Sequence, residues 1–418
     1  MNPPATCVNG LICLKCGKHV PDGNVQTCPA CGPEGILDVQ YDYDRVAARL
    51  GHESLASRAY DHWRYAELLP VLPDAPRPPL RVGWTPVYEV PRLAAHLGSG
   101  RLYLKDDGRN PTASFKDRAS SVGVMKAIEF GARTIACAST GNAASSLAGL
   151  AAAVGLRSVI FIPERAPAPK VAQLMVFGAT VVRVEGSYEQ AFNLCALACA
   201  KFGWYNRNSG TNPFLVEGKK TAGLEIAEQL GAQVPDWVVV SVGDGCTIGG
   251  IGKGLGEMQR LGFIPRVPRL LGVQAENAAP IVRAFGSGGP LVPVQAATVA
   301  DSIAVGTPRN WRRALAAVTG SCGSMVAVAD DEILAAMNTT ARLGGVFGEP
   351  AGVAGIAGLR KALAEGVIRP GESVLVVITG NGLKDIESAR RAGGDPIDVA
   401  PDLGSLERAL TAKGVTPA

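Results

Sequence analysis

From about residue 101 the chain alternates short runs of β-branched and apolar residues with Ala-rich stretches of helical length, and this alternation limits the possible folds most. The runs predict strands over Leu102–Lys105, Thr134–Ala138, Ser158–Ile162, Thr180–Val184, Trp237–Val242, Arg269–Gln274 and Ser373–Ile378. The stretches between them predict helices over Ser114–Phe130, Asn142–Val154, Lys170–Phe177, Tyr188–Lys201 and Thr221–Gln229. Strand, helix and strand in series need crossover connections, so the expected class is α/β, with parallel sheets covered by helices on both faces. Ligands of such sheets bind beyond the carboxyl ends of the strands. The unusual short motifs of this chain fall there.

A length of 418 residues suits two or three domains. Hydrophobic residues at 47% against 19% charged describe a compact globular chain, and abundant Ala and Gly let its elements pack closely. The formal charge of +4 is slight and no basic run with interleaved aromatics occurs, so no nucleic-acid partner is expected. Met1-Asn2-Pro3-Pro4 lacks the layout of a secretory leader, and the longest apolar stretch, near Ala143–Leu156, is too short and too rich in Ser to cross a bilayer. A soluble, cytoplasmic protein with no membrane partner is expected. Tyr41–Leu69 reads as polar and helical, Leu72–Pro86 as a Pro-rich connector, and Ala278–Val299 as an Ala/Gly/Pro-rich loop region.

Of ten cysteines, four form two units, Cys13-Leu14-Lys15-Cys16 and Cys28-Pro29-Ala30-Cys31, each followed by Gly. The rest are scattered among apolar residues, which suits a reducing compartment. Two C-x-x-C-G units in about forty residues read as a zinc ribbon, because four thiolates satisfy a tetrahedral zinc ion and so small a segment draws little stability from its own core. An all-Cys set leaves no open position for water, so the metal is structural. Cys7 is a possible extra or replacement ligand.

Four strand-to-helix junctions carry candidate chemistry. The first places Lys116 near a helix start, in Asn110-Pro111-Thr112-Ala113-Ser114-Phe115-Lys116-Asp117-Arg118. Outward-pointing amides there favour a neutral amine able to condense with an aldehyde. The second, Ser139-Thr140-Gly141-Asn142, offers amides and hydroxyls for a carboxylate and exceeds what one helix cap requires. The third, Gly243-Asp244-Gly245-Cys246-Thr247 with Gly249 and Gly250, can turn its amides into one concavity of the kind that binds phosphate. It is neither a P-loop nor a convincing dinucleotide fingerprint. The fourth sets Thr379 at the end of a strand, in Thr379-Gly380-Asn381-Gly382-Leu383-Lys384-Asp385. A lysine, a carboxylate turn and a phosphate cup together fit a cofactor bearing aldehyde and phosphate, with an amino-acid substrate.

With these motifs, and with Glu217-Gly218-Lys219-Lys220-Thr221, Pro235–Val240, Ser302-Ile303, Gly306, Asn310-Trp311 and Gly348-Glu349-Pro350-Ala351-Gly352, the chain from about Val82 to Asp385 resembles the fold-type-II pyridoxal-phosphate enzymes. Within them it is most similar to the threonine synthase branch. The resemblance implies two doubly wound, mostly parallel sheet domains with the active site between them. The ribbon would occupy 1–40, a large cofactor-binding domain 41–100 and 215–418, and a small domain 101–214. It implies that Lys116 is the Schiff-base lysine, that Asn142 bonds the cofactor's 3′-oxygen, that Gly243, Asp244, Gly245, Cys246 and Thr247 hold its phosphate, and that Thr379 faces its pyridine nitrogen. A hydroxyl there weakens the electron sink and favours elimination or replacement over transamination. Ser139, Thr140 and Gly141, with Ser114 and Glu349, would serve the substrate. The implied reaction converts O-phosphohomoserine and water to threonine and phosphate by γ-elimination and β-replacement, in a homodimer, with Lys116 both anchor and proton carrier.

Two positions depart from the family pattern. Leu215 stands where many threonine synthases carry an arginine that grips substrate phosphate, and Arg109, Arg118, Arg207, Lys219 and Lys220 are the candidate replacements. Asp244 puts an acid beside phosphate, which is repulsive unless its carboxylate turns away. These departures keep open a relative acting on another amino acid, such as a cysteate synthase type using O-phosphoserine, or a threonine/serine ammonia-lyase. A non-catalytic interaction protein is the reading from a different class, opposed by the intact lysine and cofactor motifs.

Overall fold

The computed structural model describes residues 6–164 and 168–415, so Met1–Pro4, expected not to form a secretory leader, lies outside the described residues. The N-terminal module is an antiparallel sheet of β1 (Val8–Cys13), β2 (His19–Val20) and β3 (Leu37–Tyr41), in the order β2-β1-β3. Alternate residues of β3, Leu37, Val39 and Tyr41, are buried, as expected of a strand with one covered face. The polar stretch that follows is not one helix. It breaks into Tyr43–Ala47, His52–Ala56 and a 3-10 segment, His62–Leu68, with Gly51 capping the second.

The body holds two further sheets, built from β4 (Val87–Glu89), β5 (Leu102–Asp106), β6 (Thr134–Ala138), β7 (Arg157–Pro163), β8 (Thr180–Val184), β9 (Tyr205–Asn206), β10 (Trp237–Ser241), β11 (Arg269–Ala275), β12 (Ser324–Val328) and β13 (Val374–Ile378). One has six strands in the order β12-β11-β10-β13-β5-β4, the other four in the order β8-β7-β6-β9. Every pairing in them is parallel except β4 with β5. β5, β6, β10 and β13 are buried along their whole length, because helices cover both faces.

The expected boundary at residue 101 moves. β5 pairs with β13 from Leu102↔Val374 to Asp106↔Ile378, so 102–106 belong to the six-stranded sheet, and the strands of the smaller sheet run from 134 to 206. Three helix starts also move: the helix expected at Ser114 begins at Lys116, the one expected at Lys170 begins at Ala168, and the one expected at Thr221 begins at Phe214. The loop region expected over Ala278–Val299 contains a helix, Pro280–Ser287.

Glycine permits the close helix packing behind the site. A Cβ at Gly218 would lie 2.0 Å from the Arg118 carbonyl oxygen, and one at Gly254 would lie 2.3 Å from that of Lys220. The helices Lys116–Glu129, Phe214–Leu230 and Cys246–Arg260 therefore touch backbone to backbone. Charged groups are locked between the first two of these helices and the end of β5: Arg118 pairs with Asp107 at 2.6 Å and with Glu225, and Lys105 reaches Glu225 at 2.9 Å, all fully buried.

Candidate active site

The ends of β6, β10 and β13, with Phe115 and Lys116, open on one cavity of about 810 Å³ between the two sheets. Its wall includes Lys116, the turn Ser139-Thr140-Gly141-Asn142, the loop Gly243 to Thr247, Glu349 and Thr379. Ser114 is the exception and corrects the expectation. It is fully buried, bridges to Gly380, and its Oγ has no partner, so it lies behind the wall.

Lys116 is the first residue of its helix. The loop before it is clamped: Phe115 N donates to Thr379 O at 2.8 Å, Asn381 N to Ala113 O at 3.1 Å, and Thr112 N to the Asp117 carboxylate at 2.7 Å. Ala113 takes a left-handed φ of +62° to make this path. The Lys116 amine has no carboxylate partner among the described residues. Burial, and then the Lys219 ammonium, bring its pKa down to about 8. The helix start expected to do this is not the main cause; desolvation is.

The turn at the end of β6 is tightened by Gly141 N donating to Ser139 Oγ at 3.2 Å, and Asn142 opens the helix Asn142–Ala153. Asn142 Nδ2 donates to Glu349 Oε1 at 2.7 Å and to Ser302 Oγ at 3.3 Å. Glu349 caps the helix Pro350–Ala364, and burial pushes its carboxyl up to about 7 against the opposing pull of Asn142, Lys384, Lys170 and Lys116.

The glycine loop is a cradle that side chains would fill. A Cβ at Gly243 would lie 3.0 Å from Ile303 Cα, and one at Gly245, where φ is +98°, would lie 2.7 Å from Asn310 O. The helix Cys246–Arg260 starts here, so its first amides lack intrahelical acceptors and form an anion site. The buried Lys219 ammonium contacts Cys246 Sγ and has no carboxylate partner among the described residues. Asp244 does not spoil the cradle, since its oxygens accept from Arg309 N and Asn310 Nδ2, each at 2.7 Å. A cradle for phosphate, a buried cation and a depressed lysine around one cavity fit pyridoxal phosphate.

Leu215 is fully buried against Gly123, off the cavity wall. Of the five cations expected to replace an arginine there, Arg109 is exposed, Arg118 is held by Asp107 and Glu225, and Lys220 by Glu217 at 2.6 Å and Glu257 at 3.0 Å. Arg207 and Lys219 line the cavity. Arg207 rests on Ser120 Oγ at 2.9 Å and Ser209 Oγ at 3.3 Å. The sequence reading missed a side cavity of about 420 Å³ that shares Asn142, Ser302 and Glu349 and is walled by Lys170 and Lys384. Ser302 and Lys384 stood in quoted motifs, which was the available signal.

In the N-terminal module the ligand atoms of Cys13, Cys16, Cys28 and Cys31 lie within 4.8 Å of one another, with Cys16 Sγ 3.9 Å from Cys28 Sγ. Tetrahedral zinc–thiolate bonds would set sulfurs about 3.8 Å apart. Gly17 and Gly32, after the two pairs, have φ of +71° and +59°, which opens each turn toward the sulfurs. Cys7 is buried in the core outside this cluster.

Residues 79–380 match the family described as pyridoxal-phosphate dependent enzyme. The chain is 40% identical over 402 residues to the threonine synthase of Methanocaldococcus jannaschii, covering 95% of this chain and 98% of the relative. It is 37% identical over 348 residues to that of Mycobacterium bovis, covering 81% and 94%. Among solved structures, the processed form of threonine deaminase isoform 2 from Solanum lycopersicum superposes with a TM-score of 0.65 at 24% identity, covering 74% of this chain and 87% of that one. Maize serine racemase gives 0.63 at 20%, covering 79% and 92%. At these identities the structures speak for the fold.

Proposed function

The chain belongs to the pyridoxal-phosphate-dependent enzymes, and on that premise we propose that it is a threonine synthase, a lyase converting O-phosphohomoserine and water to threonine and phosphate. One observation carries the reading. A chain similar to threonine synthases over nearly its whole length gathers its lysine, carboxylate turn and glycine cradle on a single cavity with two cations left over, Arg207 and Lys219.

Lys116 would hold the cofactor's aldehyde carbon, the amides of Gly243 to Thr247 its phosphate, Asn142 its ring oxygen, and Thr379 its ring nitrogen. Bound there, pyridoxal phosphate supplies an electron sink for negative charge on the substrate's carbons. Ser139, Thr140 and Gly141 orient the substrate carboxylate at the head of the Asn142–Ala153 helix. The Lys116 amine, with its pKa near 8, takes the proton from Cα and carries protons at Cβ. Arg207 holds the phosphate on Cγ and neutralises it as it leaves, and water then adds at Cβ. Cys13, Cys16, Cys28 and Cys31 hold a structural zinc ion in this reading. A cytoplasmic homodimer is the setting that the resemblance carries.

Purified protein incubated with O-phosphohomoserine should release phosphate and threonine in equal amounts. O-phosphoserine with sulfite, and threonine alone, are the parallel arms. Turnover in either of those arms with none on O-phosphohomoserine would overturn the assignment.

A further inference from the structure

We propose that the N-terminal cysteine module positions the phosphate cradle, through a chain of contacts running from Asp38 to Asp244. The inference rests on the cofactor placement above. Asp38 lies on β3 of the module and pairs with Arg313 on the Trp311–Gly320 helix. Arg313 also donates to Leu37 O at 2.8 Å, and its Nε donates to Asn310 Oδ1 at 3.3 Å. Asn310 Nδ2 in turn donates to Asp244 Oδ2 at 2.7 Å, and Asn310 N donates to Asp244 O at 3.1 Å. Arg313 and Asn310 are buried at 6% and 1% exposure, so water does not replace these bonds at little cost.

Asp38 suits this role because Lys253 also holds it, at 3.2 Å through both oxygens, and Lys253 is fixed by Glu217 at 2.8 Å. Gln40 Nε2 adds a bond to Asp38 Oδ2 at 2.9 Å. The module reaches the opposite wall as well: Gln26 Nε2 donates to Asn206 O at 3.0 Å, and Thr211 Oγ1 to Gln26 Oε1 at 3.3 Å. Between those two residues lie Asn208, Ser209 and Gly210 of the cavity wall. Asn310 Nδ2 also contacts Ser209 O at 3.3 Å, which closes a ring around the mouth of the cradle. A segment far from the reacting atoms thus fixes where Asp244 points, and with it the amides on either side.

The test titrates full-length apoprotein with pyridoxal phosphate and no substrate, reading the dissociation constant and the phosphorus resonance of the bound cofactor. Asp38→Asn keeps the side-chain shape and removes the charge that holds Arg313. It should weaken cofactor binding about tenfold, the order expected when a coupled network loses one link, and shift the phosphorus resonance. Asp244→Asn should do the same. Because both act on one chain, the double variant should be no weaker than the worse single one. Val39→Ala, which shortens a buried side chain of the same strand and keeps the Asp38 carboxylate and the backbone carbonyls, controls for loosening of the module and should leave the resonance in place. An unchanged constant in Asp38→Asn, a double variant whose losses multiply, or an equal resonance shift in Val39→Ala would overturn the proposal. Since no substrate is present, failure here leaves the threonine synthase reading to its own assay.

Discussion

Asn142 Nδ2 donates to Glu349 Oε1 at 2.7 Å, a bond that crosses the cavity from the head of one sheet's helix to the head of the other's. It stabilises the carboxylate form of a side chain whose burial pushes it up to about 7. Asn142→Ala removes that donor, so the Glu349 carboxyl should move further up. Where this group limits the rate, the corresponding limb of the pH–rate profile should shift to higher pH in the variant, and Glu349→Gln should abolish that limb. An unmoved limb in Asn142→Ala would mean that the bond does not govern the charge of Glu349.

Lys116 titrates near 8, below the ordinary lysine range. Its amine is charged below that pH and neutral above it, and only the neutral form attacks an aldehyde. Recombination of apoprotein with pyridoxal phosphate, followed by absorbance, should slow about tenfold per pH unit below 8 and level off above it. A midpoint near that of a free lysine would contradict the burial argument.

Arg207 and Lys219 face the same cavity with different tasks in this account. Arg207→Met should raise KM for O-phosphohomoserine about 10- to 100-fold, the usual worth of a charge-assisted hydrogen bond, while leaving cofactor content intact. Lys219→Met, which empties the position beside Cys246, should lower cofactor retention on dialysis instead. Exchange of the two phenotypes would reassign the two cations.

The alternating body was legible because β10 and β13, Trp237-Val-Val-Val-Ser and Val374-Leu-Val-Val-Ile, are covered on both faces and so read as unbroken apolar runs. β12, Ser324-Met-Val-Ala-Val, sits at the edge of its sheet, carries a weaker run and escaped. The helix beginning at Phe214 was hidden by Gly218, which looks like a breaker; its place is explained only by the Arg118 carbonyl pressed against it. The cradle glycines and Lys116 were readable as local motifs. Which sheet β5 joins, and what Asp38 touches, depend on partners hundreds of residues away and leave no local pattern.

The buried cluster of Arg118, Asp107, Glu225 and Lys105 carries a stability prediction of its own. Arg118→Met leaves Asp107 without its cation in a dry interior, which should cost about 3–5 kcal/mol in urea unfolding. A loss below 1 kcal/mol would show that the cluster is hydrated or relaxes freely.

Lys116 as the covalent anchor is the centre of the account, and borohydride tests it most directly by making a lysine–cofactor bond permanent. After reduction and digestion of holoprotein, mass mapping should find the pyridoxyl group on the peptide carrying Lys116, and Lys116→Ala should carry none. A pyridoxyl group on Lys219, the other lysine lining the main cavity, or on any lysine other than Lys116, would contradict it.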